Sequence, residues 1–447
     1  MKIWYIVISI GFMLMCAAAL KPRLFWPMLI AVAVGTCGLM FQSLTFTDEI
    51  LSGSILLGFI LAMTVRKNLL LRINESKLDG FHRIIFIVFI AYVIIEGMRG
   101  LLILESLRKI RWIVYYGMIG VIAFVVSRNR CPFASRVKIS LLIAIAALVY
   151  FSAYLFYGIF SEIFRGVHRY ELQNLEWAGT TAAMFPLVAA MPAIFILLRE
   201  KRRLYGWIAW ITLTIAMVAA FYYESRVAWL VMLLFMTLSF RIVGLRKFVI
   251  FLFIFLVVMN MFIYFIWPEW YTLDLYLEGV FASLFNAHNA TESHDLFRKV
   301  QLRVAFPAIC TNVRTFLFGH GLRAAADVIG IHSARLYAKY APFDLEGAYT
   351  ARWYGSTEGF TAIVVETGVV GLLLLCMNFL CMLRKILFQK DRHLRTILIL
   401  SLGVTFLWLF VANMFDAVLF FLMIMPSGLL LQLSGEKSAE PCCDGGV

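Results

Sequence analysis

Apolar runs close to the length of a bilayer crossing recur through almost the whole chain, and short basic clusters separate them. A helix needs about 20 apolar residues to cross the hydrocarbon, with a range of roughly 17–25. Candidate runs lie at 3–20, 24–46, 50–65, 84–98, 112–127, 139–160, 180–198, 205–223, 227–243, 248–267, 359–383, 396–414 and 417–434. They give thirteen spans, or twelve if the first two runs are parsed differently. A balance of 63% hydrophobic to 15% charged residues, with mean hydropathy +0.89, is foreign to soluble domains and ordinary for membrane chains. Forty phenylalanines and eleven tryptophans suit contact with lipid and anchoring at its interfaces. The expected fold class is all-α: a polytopic membrane protein of about 12–13 transmembrane helices with one large, partly helical external loop.

The charge pattern orients these spans. A net charge of +14 arrives as short clusters between apolar runs, among them "RKNLLLR", "RNRCPFASRVK", "REKRR", "RIVGLRK" and "RKILFQKDRHLR". That is the positive-inside pattern of cytoplasmic loops, not a groove for a polyanion, so no nucleic-acid partner is expected. Loops 66–83, 128–138, 199–203, 241–247 and 384–395 then face the cytoplasm, and 161–179, 222–226, 268–356 and 413–416 face outward. Strict alternation over thirteen spans sets the N-terminus outside despite Lys2, and its side stays open. The first run reads as an uncleaved anchor, since no small-x-small cleavage site leads into a soluble domain.

The expected organisation is residues 1–267 as N-terminal membrane helices, 268–356 as a large external loop, 359–434 as C-terminal helices and 435–447 as a short cytoplasmic tail. The loop carries eight Lys/Arg and eight Asp/Glu, and connections of that length are usually functional. "YTLDLYLEGVFASLFNAHN" and "HDLFRKVQLRVAFPAICTNV" repeat apolar residues at three- and four-residue intervals, as amphipathic helices do. "FGHGL" (Phe318 to Leu322) has the glycine spacing of a tight turn. Cys310 is the only cysteine of this loop, so no disulfide forms within it.

Within "FYYESRVAWLVMLLF", Arg226 opens an apolar run at the expected external face. An arginine near a bilayer centre costs about 2.5–3.5 kcal/mol on insertion scales, so it needs an interface or an anionic partner. Arg165, Arg169 and Arg303 lie on the same side, where positive charge is normally depleted. A guanidinium fork bonds phosphate oxygens bidentately, which points to a diphosphate ligand. Each loop arginine also has acids nearby with which to pair, whereas Arg226 has only Glu224 close in sequence. His320 and His332 fall in the long loop and are candidate general bases, although lone loop histidines are commonly structural. No carboxylate or cysteine completes a recognisable ligand set with His288 and His294, so no metal is expected, and no cofactor either. Glu358 and Glu366 begin the helix after the loop; Glu366 lies two turns inside it, where an ionisable group is a functional candidate. Gly368 and Gly371, one turn apart, suit close helix contact.

Three segments, in order, resemble the O-antigen ligase and polymerase superfamily of bacterial envelope glycosyltransferases. "GTTAAMFPLVAAMPAIFILLREKRR" followed by "YYESRVAWLVMLLF" is similar to its central helices, where a serine–arginine pair begins a helix. "RVAFPAICTNVRTFLFGHGL" is similar to its external-loop pattern, and "GFTAIVVETGVVGLLLL" to the helix that follows, with its acid-x-glycine element. The resemblance covers about residues 175–385. It implies transfer of a glycan from an undecaprenyl-diphosphate-type carrier to an acceptor hydroxyl, on a glycan or a lipid A core, at the external face of the bacterial inner membrane. Mapped onto this chain, Ser225 and Arg226 match the serine–arginine element and Arg303 the loop arginine. The chain departs from the pattern at one place. Family members usually carry histidine just ahead of the acid-x-glycine helix, and here that position reads Thr357–Glu358. Glu358, His320 or His332 is then the candidate base. A transporter or flippase of lipid-linked or anionic substrates is the competing class; it would favour internal repeats, and none is visible.

If Arg226 meets a diphosphate, its charge and its fork are both needed. Arg226→Ala should abolish surface-glycan transfer while leaving abundance in the membrane near normal, and Arg226→Lys should be impaired through loss of the bidentate fork. A gel profile of surface glycan beside an immunoblot of membranes measures both, and normal glycan from Arg226→Ala would remove the residue from the mechanism.

Overall fold

The computed structural model describes residues 136–165, 178–222, 305–321 and 359–408 continuously, with shorter pieces within 81–96 and 231–257 and at 324, 325 and 328. Among the described residues the structure is helical and has no strand. Six elements carry it: α1 (Arg136–Arg165), α2 (Ala178–Arg199), α3 (Arg203–Tyr222), the short α4 (Val313–Phe318), α5 (Gly359–Leu387) and α6 (Arg392–Trp408). Among the described residues, three stretches are long and apolar enough to cross a membrane: Ser140–Phe160, Arg203–Ala220 and Ile363–Leu387.

These helices start and stop near the places expected from the apolar runs. The largest difference is in α1, which continues past residue 160 to Arg165. Phe156, Phe160 and Phe164 explain the extension, since they recur every fourth residue and stack with centroids 6.1 and 4.7 Å apart. Arg165, expected in a loop, is therefore the last residue of a helix. The described residues between 81 and 96 are helical too, with Ile85, Phe89 and Glu96 buried among them. The run expected at 227–243 is helical where described, and Gly244 ends it at φ +84° while its N–H donates to Phe240 O at 3.0 Å. That is the left-handed cap that glycine adopts without steric cost.

α2 is the central helix, packing on α1, α3 and α6. Its run from Ala190 through Leu197 is buried on every side, which is why its apolar residues show no helical periodicity. α1 buries Ile143, Ala144, Ala147 and Phe151 in a helical stripe, and α3 buries Ala209, Leu213, Ala216 and Ala220. Alanines on α1, α2 and α3 let the helix axes approach closely. Thr212 reinforces this contact, since its Oγ1 lies 3.2 Å from Ala144 O on α1 as well as 2.8 Å from Ile208 O in its own helix.

The connections 200–202 and 388–391 are joined by an ion pair. Arg199, the last residue of α2, donates to Asp391, the residue before α6. Asp391 is also the N-cap of α6. Its Oδ1 accepts from the backbone N–H of His393 at 3.1 Å and of Leu394 at 3.2 Å, groups that have no acceptor within the helix. Burial pushes the Asp391 carboxyl upward, but the Leu394 N–H, the Arg199 guanidinium and the His393 N–H outweigh it and hold the group below the usual carboxylate range.

A folded pKa below the unfolded value stabilises fully above the unfolded value, about 3.9, and the benefit is lost as pH falls through the folded one. Asp391→Ala should cost about 1 kcal/mol as a lost cap. Asp391→Asn keeps a capping oxygen and should cost only the exposed pair, about 0.2–1 kcal/mol, while removing this group's share of acid lability. Thermal melts in detergent at neutral pH and near pH 3 read both effects; equal losses from the two variants would show that capping contributes nothing here.

Candidate functional site

α4 is built from local polar chemistry. Residues 305–309 form a helical turn that buries Ala305, Ala308 and Ile309 and exposes Phe306. Asn312 then takes extended dihedrals and caps α4, its Oδ1 accepting from Thr315 N–H at 2.8 Å. Thr315 Oγ1 reciprocates, lying 3.3 Å from Asn312 N, which completes a capping box. The same hydroxyl lies 2.7 Å from Ile309 O and ties α4 to the preceding turn. Gly319 closes α4 at φ +67°, its N–H donating to Thr315 O at 2.8 Å, and Gly321 follows at φ +96°. Phe318 to Gly321 thus form the tight turn that the glycines of "FGHGL" suggest.

That turn is seated on an interruption in α5. Gly368 stands at φ +63°, ψ −165°, far from helical values, and kinks the helix. A residue in this conformation breaks the i→i+4 ladder, so carbonyls just ahead of it need other donors. Three come from elsewhere in the chain. His320 N–H donates to Val365 O at 2.7 Å, Gly321 N–H donates to Glu366 O at 3.0 Å, and Tyr92 Oη–H donates to Thr367 O. Val365, Glu366 and Thr367 are each buried, so these bonds satisfy groups that water cannot reach.

The two glycines lie backbone to backbone. A Cβ on Gly319 would lie 2.5 Å from Glu366 C, and one on Gly368 would lie 2.5 Å from Gly319 N and Leu317 O. Gly371 admits the Tyr92 ring, whose Cε1 would lie 3.0 Å from a Cβ there. The close contact expected of Gly368 and Gly371 is therefore real, although Gly368 receives a turn rather than a helix.

Glu366 is 4% exposed, and its Oε1 accepts from Ala325 N–H at 3.4 Å. Ala325 begins a helical turn in which Val328 N–H reaches Ala324 O at 2.9 Å, so the carboxyl group meets one of the donors that a helix start leaves over. Glu366 thereby has a structural role, anchoring the chain just beyond the glycine turn.

His320 is half-buried, and its Nε2 lies 3.0 Å from Ala308 O. A carbonyl only accepts, so Nε2 is the donor in this contact. Of the other residues singled out in the sequence, Arg165 ends α1, while Arg169, Arg226, Arg303, His332 and Glu358 lie outside the described residues. The structure brings His320 to the acid-x-glycine element, where Glu366 and Gly368 stand. Sequence reasoning missed Tyr92, which has no motif around it, and the docking of Gly319 on Gly368. Two unusually placed glycines in consecutive segments were the available signal. Among the described residues no group of three or more His, Cys, Asp or Glu is placed to hold a metal ion. No model of a known family matches the chain, and no curated protein matches it.

Alanine at either glycine combines a left-handed φ with backbone overlap. Gly319→Ala and Gly368→Ala should each cost more than about 2 kcal/mol. Gly206→Ala and Gly403→Ala are the controls: a Cβ there meets nothing within 4 Å, and helical alanine should stabilise by about 0.4–1 kcal/mol. Thermal unfolding in detergent and limited proteolysis of the 305–328 segment separate the pairs; wild-type protection in both glycine variants would contradict the seated turn.

Proposed function

We propose that the chain is a multi-pass protein of the bacterial inner membrane that transfers an oligo- or polysaccharide from an undecaprenyl-diphosphate-type carrier to an acceptor hydroxyl. The acceptor is a glycan or a lipid A core, and the product is surface polysaccharide of the lipopolysaccharide type. The acceptor oxygen attacks the anomeric carbon, the bond from that carbon to the diphosphate breaks, and the base takes the acceptor's proton. Arg226 and Arg303, assisted by Arg165 and Arg169, hold the diphosphate and stabilise the charge that develops on it. The base is Glu358, His320 or His332, with His320 acting through Nδ1. A glycosyl diphosphate is already activated, so the step needs no cofactor.

One observation carries this reading. The two segments that resemble the family's loop and post-loop helix meet through backbone hydrogen bonds, with His320 delivered to the acid-x-glycine element. A sequence likeness spread over separate segments gains weight when those segments form one site. Transport of a lipid-linked or anionic substrate has an observation of its own: an apolar helix interrupted at Gly368 is the kind of element that transporters build sites from.

A deletion strain separates these readings when surface glycan is resolved on a gel and lipid-linked intermediates are extracted alongside. Long chains stranded on the carrier mean a ligase, and single repeats attached to the core mean a polymerase. An unchanged profile with no accumulating intermediate would overturn glycan transfer in that strain's surface polysaccharide.

A further inference from the structure

The Arg199–Asp391 pair brings two basic connections onto one surface. Residues 199–203 hold four Lys/Arg and residues 384–395 hold five, against the acids Glu200 and Asp391 alone. Asp391 is already engaged by Arg199, and Arg395 Nη1 lies 3.4 Å from Leu387 O. Lys201, Arg202, Arg203, Lys390 and Arg392 are exposed.

What surrounds the charge is as telling as the charge itself. On α3 the residues next to the cations are Leu204 and Trp207, each 66% exposed, and Ile211, 46% exposed. Their spacing of three and four residues lines them up along one side of the helix. On α5 the exposed Leu380 leads in the same way to Leu387 and Phe388. Aromatic rings hold two cations at this boundary: Arg202 Nη1 lies 3.3 Å from Tyr205 Oη, and the Arg384 guanidinium carbon lies 6.0 Å from the Phe388 centroid. A surface for a soluble polyanion needs the cations but not apolar tracks leading away from them. A phospholipid needs both.

We propose that this joint surface binds the headgroup of an anionic phospholipid. Arg202, Arg203, Lys390 and Arg392 contact the phosphate region, and an acyl chain lies along Leu204, Trp207 and Ile211. The site shares no residue with the glycine joint or with the proposed diphosphate arginines. It rests on the chain lying in a membrane, and not on glycan transfer.

The test uses full-length protein in detergent, melted with phosphatidylglycerol, phosphatidylcholine or glycerol phosphate. Phosphatidylglycerol should raise the melting temperature by several degrees more than phosphatidylcholine, since a ligand that binds only the folded state stabilises it. In the variant Arg202→Gln, Arg203→Gln, Lys390→Gln, Arg392→Gln, apparent affinity for phosphatidylglycerol should fall about tenfold or more, with the phosphatidylcholine response unchanged. Equal shifts from the two lipids would overturn the site, as would the variant retaining the difference. A full shift from glycerol phosphate would make it a soluble-anion site and overturn the lipid assignment. Should the variant not fold, salt on the wild type decides, because about 0.5 M salt should erase the phosphatidylglycerol excess and its persistence would refute a charged contact. Recovery of the chain in the soluble fraction without detergent would overturn both the membrane reading and this site.

Discussion

The backbone joint between Gly319 and Gly368 is the constraint on which the described part of the loop depends. Two glycines with positive φ face each other so closely that neither position has room for a Cβ. The interruption at Gly368 and the turn at Gly319 each leave backbone groups without regular partners, and each supplies what the other lacks. His320 and Gly321 provide donors where Val365 and Glu366 offer carbonyls. Separately, a kinked helix with buried open carbonyls and a glycine turn with free amides would both be unfavourable. Together they form one closed unit.

Around that joint the chemistry divides into parts that hold and parts that can react. Glu366 and Tyr92 hold: one receives an amide from the segment beyond the turn, and the other donates to the third open carbonyl. His320 belongs to both groups, because its backbone and its Nε2 are bonded within the site while Nδ1 is the ring nitrogen not used in that contact. At the α2–α6 contact a different rule applies, since the Arg199–Asp391 pair joins the end of α2 to the start of α6 by side chains, with Lys201, Arg202, Arg203, Lys390 and Arg392 exposed around it.

Much of the helical layout is legible in the sequence, because apolar run length and charge act locally. α5 is expected from Gly359 and begins there, and the end of the run near 243 coincides with the left-handed Gly244. The end of α1 differs from expectation because a charged residue, Arg165, follows an aromatic ladder that prolongs the helix. The site is only half legible. Glu366, Gly368 and "FGHGL" all stand out as unusual residues for their surroundings. Their meeting does not, because it is carried by backbone amides and carbonyls that nearly every residue possesses. Tyr92 lies far away in the chain, and a single hydroxyl on an apolar helix carries no pattern.

The kink in α5 also divides responsibilities along the chain. Because the bonds at 320 and 321 run from main chain to main chain, the side chain at position 320 is not what holds the turn in place. Exchanging that side chain would forfeit its Nε2 contact with Ala308 O but leave the main-chain bonds in place, whereas the glycines beneath it cannot be exchanged. Position 320 is thus held on α5 whichever side chain it carries, so the frame is independent of the group displayed on it.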